Sequence, residues 1–112
     1  MIRFLVPSTH IKLRSIMKIN LQSLKFTARE ELKNFVEDKV SKLSRYDDKI
    51  ISADVTLVLE EGKNPDNKIC EIRLIVPGND DFVKKNAVTF EEAIMSAVLT
   101  LQTILQRKKE KA

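Results

Sequence analysis

The sequence predicts an α+β fold in the order β-α-β-β-β-α, with two helices packed side by side on one face of a four-stranded sheet. Three observations carry this. Alternating apolar positions mark strands on either side of an amphipathic helix. Two runs of turn residues separate three consecutive strand patterns. A Thr-x-x-Glu signature then opens a long, apolar-striped segment near the C-terminus. Each strand pattern has one apolar face and each helix one apolar stripe, so both helices should cover the same side of the sheet. The other sheet face should be polar and solvated.

From Met17 to Leu24, apolar Met17, Ile19 and Leu21 alternate with polar Lys18, Asn20 and Gln22, the pattern of a half-buried strand. Thr27 is placed to cap the next helix, with Glu30 completing a capping box and Phe26 stapling onto Leu32. That helix should run to about Ser44, its stripe formed by Leu32, Phe35, Val36, Val40 and Leu43. Ile51–Glu61 alternates again through Ala53, Val55, Leu57 and Leu59, and residues 62–67 (GKNPDN) form a turn. Lys68–Val76 puts Cys70, Ile72, Leu74 and Val76 on one face. After the turn at residues 77–80 (PGND), Asp81–Lys85 is expected as a short edge strand. Thr89 caps the last helix with Glu92 three residues on. Its stripe reads Phe90, Ile94, Ala97, Val98, Leu101, Ile104 and Leu105, and Arg107-Lys108-Lys109 suits the negative end of its dipole.

A chain of 112 residues supplies one domain with one modest core. No apolar run approaches the roughly 20 residues of a membrane helix, and a single cysteine, Cys70, fits a reducing compartment. The net charge of +4 is unevenly spread: residues 1–16 hold Arg3, Lys12 and Arg14 and no acid, leaving 17 bases against 16 acids beyond them. Any nucleic-acid binding must therefore come from local clustering rather than bulk charge. Residues 1–16 read as an N-terminal extension, either disordered or the product of a start placed upstream of the true one. Residues 17–112 read as a single binding domain.

No enzyme is expected. The one histidine, His10, lies in the extension, so neither a Ser-His nor a Cys-His pair can be built in the domain. No Cys/His cluster has metal-ligand spacing, and no cofactor is expected. The paired acids Glu30-Glu31 and Glu91-Glu92 fall in first turns of helices, where they complement the dipole. Glycines stand singly, so no phosphate-cradling loop exists.

The basic residues are the better lead. Helix 1 and its exit carry Lys39, Lys42, Arg45 and Lys49, and helix 2 ends in Arg107, Lys108, Lys109 and Lys111. Lys39 falls inside the arc of Phe35, Leu32, Leu43 and Val36, so its stem must snorkel out between elements. With the helices side by side, these groups could line one groove and meet phosphates. Charge alone does not separate this from the ordinary solvent-facing role of helical Lys and Arg.

The segments Met17–Gln22, Phe26-Thr27-Ala28 and residues 42–50 (KLSRYDDKI) resemble the ribosome hibernation promoting factor family, also called ribosome-associated inhibitor or sigma-54 modulation protein. Val76-Pro77-Gly78, Thr89–Ile94 and the basic ending resemble its Bacteroidetes-like version. The resemblance covers Met17 to Lys111 and is to the short form, without the dimerisation domain of long members. It implies a cytosolic stationary-phase and stress-response factor that binds rRNA in the small-subunit channel and blocks mRNA and tRNA. Lys39, Lys42, Arg45 and Lys49, and Arg107, Lys109 and Lys111, match basic positions of that family. The family's Arg-Gln pair in helix 2 is Thr103-Ile104 here, and a common acid is Met95, so helix 1 should supply more of the affinity.

Two other partner classes are consistent with the residues. Met95 and Leu99 fall opposite the apolar stripe of helix 2 with Gln102 and Gln106, and are candidate contacts to protein, a second copy or a ribosomal protein. Helices on one sheet face also occur in generic double-stranded RNA binders. Neither a small-molecule substrate nor a membrane partner is expected.

Overall fold

A computed structural model describes residues 17–111, with the side chain of Lys111 excluded. The expectations for residues 1–16 fall outside the described residues. In chain order the elements are β1 (Lys18–Leu24), α1 (Glu30–Ser41), a 3-10 turn (Lys42–Arg45), β2 (Ser52–Leu59), β3 (Lys68–Ile75), β4 (Asp81–Ala87) and α2 (Phe90–Lys111). The order is the expected β-α-β-β-β-α. The sheet runs β1-β2-β3-β4, with β1 parallel to β2 and the other pairs antiparallel. α1 is the crossover that parallel pairing requires.

One face of the sheet carries Ala53, Val55 and Leu57 of β2, Cys70, Ile72 and Leu74 of β3, and Val83 of β4, all buried. Val36, Val40 and Leu43 descend on it from α1 and the 3-10 turn, and Ile94, Ala97, Leu101 and Leu105 from α2. α2 lies over β3 and β4, while α1 lies over β1 and beside α2. Burying a Leu or Ile side chain stabilises by about 1.5–3 kcal/mol, so this single layer holds the domain together.

The open face is less polar than the sequence predicts. Its register aligns Asn20, Asp54, Arg73 and Phe82 across the strands. Asn20 Nδ2 donates to Asp54 Oδ1 at 2.8 Å, and the Arg73 guanidinium sits 5.0 Å from the Phe82 ring centroid. At one end, however, Leu24, Val58 and Ile69 form an apolar row in which Ile69 is buried. Asn86 Nδ2 donates to the Asp66 carbonyl at 3.4 Å, tying the β2–β3 loop to β4 at this corner.

The start of α1 also differs. Its N-cap is Arg29 in extended geometry with no side-chain cap, so Thr27 caps nothing and the helix begins at Glu30. With the N-cap at Arg29, Phe26 does not occupy the position before the cap that a staple uses, and it stacks on Phe90, with centroids 4.4 Å apart and planes 14° off parallel. α2 begins as expected: Thr89 Oγ1 accepts from the Glu92 N–H at 3.1 Å. β4 extends two residues beyond the expected Lys85. In the β3–β4 turn Gly78 has φ +95°, which suits a residue without Cβ, and Asp80 Oδ1 accepts from the Val76 N–H at 3.3 Å.

Candidate nucleic-acid interface

The stripe of α1 pulls Val36 and Val40 onto the sheet, which turns Lys39 into the seam between the helices. Its stem packs beside Phe35 and its ammonium lies 5.5 Å from that ring's centroid and 3.5 Å from Asp38 Oδ2. The same carboxylate oxygen lies 3.7 Å from the Lys42 ammonium. Lys39 therefore snorkels, as its position in the apolar arc requires. Tightening into the 3-10 turn then swings Arg45 and Tyr46 toward α2.

Two adjoining clefts result. The first, about 170 Å³, lies between the helices, with Lys39, Lys42 and Arg45 on one side and Met95, Val98, Leu99 and Gln102 on the other. The second, about 450 Å³, lies at the end of the helix pair, where Arg45, Asp47, Asp48 and Lys49 face Leu105, Lys108 and Lys109. Arg45 and Tyr46 line both, so the clefts form one continuous groove. In the wider part four cations meet two carboxylates. Asp47 is already engaged, its Oδ1 accepting the Lys49 N–H at 2.9 Å, which shapes the loop.

Six of the eight basic residues singled out from the sequence thus line the groove. Arg107 is exposed and lines neither cleft, and the side chain of Lys111 is outside the described residues. Lys108 has a second role, an ion pair of 2.6 Å with Asp81 at the start of β4. Met95 and Leu99 do not form a separate face. Met95 is half-buried, Leu99 is 52% exposed, and both line the groove opposite the lysines. Tyr46, Asp47 and Asp48 were not singled out as site residues, although the Arg45-Tyr46-Asp47-Asp48-Lys49 run belongs to the segment that carries the family resemblance.

The described residues hold no group of three or more His, Cys, Asp or Glu suited to a metal ion. Cys70 is buried in the core, and burial, with the nearby charge of Glu71, pushes its thiol up to about 12. None of the helices described is long and apolar enough to cross a membrane.

No curated protein matches the sequence. Among solved structures, the N-terminal domain of Protein Y from Thermus thermophilus superposes with a TM-score of 0.70 at 29% identity, covering 81% of this chain and 98% of that one. A ribosomal subunit interface protein from Coxiella burnetii gives a TM-score of 0.73 at 17% identity, covering 84% and 99%, a likeness of fold. The profile of the family described as sigma 54 modulation protein / S30EA ribosomal protein matches residues 19–112, nearly the whole β1-to-α2 domain. The chain belongs to this ribosome-associated family of sigma 54 modulation and S30EA ribosomal proteins.

Proposed function

We propose that the protein is a cytoplasmic ribosome hibernation factor that binds rRNA in the decoding channel of the small subunit and inhibits translation by blocking mRNA and tRNA. The observation that carries this reading is the groove itself. It brings together Lys39 of α1, Lys42 and Arg45 of the 3-10 turn, Lys49 of the loop that follows, and Lys108 and Lys109 of α2, segments far apart in sequence. A domain of nearly balanced charge has no need to concentrate cations this way unless they meet a polyanion. Phosphates are bound by such point charges without sequence preference, which suits a factor that recognises a shaped RNA surface. Entry into the channel of a resting ribosome accounts for inhibition by occupancy alone, with no chemical step, and for a role under stress and in stationary phase.

The test is sedimentation of the protein with purified small subunits and whole ribosomes, alongside cell-free translation. Co-migration with small subunits and dose-dependent inhibition are expected. Binding should weaken steeply with salt, by about 0.7–0.9 log units per log unit of salt for each phosphate contacted. Lys42→Ala with Arg45→Ala should reduce both binding and inhibition, and Arg107→Ala should reduce them less. Protein that stays at the top of the gradient at low salt would overturn the reading.

A further inference from the structure

The two walls of the inter-helix groove differ in kind. The α1 wall presents Lys39, Lys42 and Arg45. The α2 wall presents Met95, Leu99 and Gln102, and the cations of α2 begin only at Arg107. An A-form duplex is recognised by shape and by contacts to 2′-hydroxyls and phosphates across its minor groove, which an apolar wall does not supply. An unpaired strand is itself two-sided, with phosphates along one edge and flat, weakly polar bases along the other.

Leu99 sharpens the point. Leu101 and Leu105 on the same helix are 0% and 2% exposed, whereas Leu99 is 52% exposed and contributes little to the core. Gln102 beside it offers both a donor and an acceptor for a base edge. Resting on the RNA-binding reading above, we propose that this groove takes an unpaired RNA strand, its phosphates along Lys39, Lys42 and Arg45 and its bases turned onto Met95 and Leu99. The apolar strip and the basic strip then serve one ligand, and the α2 wall supplies contact that salt does not screen.

The experiment measures binding of the whole protein to a short unstructured oligouridine, to a blunt RNA hairpin and to purified small subunits, over a range of salt. The oligouridine should bind more tightly than the hairpin. Leu99→Gln, at an exposed position, should keep the melting temperature and lower oligouridine affinity about fivefold, the low end of one base contact. Its dependence on salt should be unchanged. Leu99→Phe should hold or raise the affinity by stacking, and Lys42→Ala should reduce the salt slope by about 0.7. A hairpin that binds as tightly as the oligouridine, or a Leu99→Gln protein with unaltered oligouridine affinity, would overturn the proposal while ribosome binding still stood. Loss of small-subunit binding in Leu99→Gln with oligouridine binding intact would also overturn it, by showing that the α2 wall meets protein. Wild-type protein that binds neither RNA nor ribosomes would remove the functional reading and this inference together.

Discussion

The ammonium of Lys108 lies 2.6 Å from Oδ2 of Asp81, joining the last turns of α2 to the first residue of β4. At about 100° per residue, Lys108 falls in the same arc as Leu101 and Leu105, and so faces the sheet. Asp81 is only 9% exposed. Lys108→Ala leaves a nearly buried carboxylate without its partner and should lower stability by about 1–3 kcal/mol. Lys109→Ala, exposed one residue on, should stay within about 0.5 kcal/mol. Urea denaturation of the two variants checks this, and equal midpoints would show that the pair holds nothing.

The two threonines that precede the helices make a matched comparison. Thr89→Ala removes a real cap and should destabilise by about 1 kcal/mol, because the Glu92 N–H loses its acceptor. Thr27→Ala should change the melting temperature hardly at all, since the N-cap of α1 is Arg29. A comparable loss at Thr27 would place the helix start where its sequence signature puts it.

Asp38 competes with any phosphate brought to the groove. Its carboxylate lies between the ammonium groups of Lys39 and Lys42, at 3.5 and 3.7 Å. Asp38→Asn frees both cations and should raise affinity for small subunits roughly twofold or more at low salt, with the gain shrinking as salt screens the pair. Weaker binding of Asp38→Asn would mean that the carboxylate orients the lysines rather than opposing the ligand.

The Cys70 thiol is held neutral by burial, its pKa pushed from 9.0 up to about 12. A raised folded pKa means that its contribution to stability is full below pH 9 and is lost as pH rises toward about 12. Native protein should resist thiol-reactive maleimide until unfolded. Its denaturation midpoint should also fall more between those pH values than that of Cys70→Ala. Rapid labelling of native protein would show the core to be open at β3.

The strands and helices were legible because alternation and striping are local consequences of one shared apolar face. The misplaced start of α1 was not. The Thr27–Glu30 signature is locally as good as that of Thr89–Glu92, and the tertiary surroundings that distinguish them, Phe26 stacked on Phe90 among them, are not recorded in it. The burial of Ile69 on the open face is not legible locally, because its neighbours across the sheet, Leu24 and Val58, are set by register. Within the site, the cations were readable as a set. The inward turn of Lys108 follows from helix phase alone and could have been found. That Met95 and Leu99 share a groove with Lys39 and Lys42 required knowing how closely the helices lie, which amphipathic patterns do not specify.

The parallel pairing of β1 with β2 has a kinetic consequence. Ser52–Lys111 is a continuous unit of antiparallel neighbours and one helix, joined by short turns, whereas β1 reaches its partner only after α1 has been laid down between them. Closing that longer loop comes at an entropic cost that only later contacts offset, so the meander with α2 should form first and β1 should dock last. Substitutions in the early unit, such as Ile72→Val, should then slow folding, while Leu21→Ala in β1 should chiefly speed unfolding. Stopped-flow measurement of both limbs would show it, and a Leu21→Ala variant that folds slowly would place β1 in the nucleus instead.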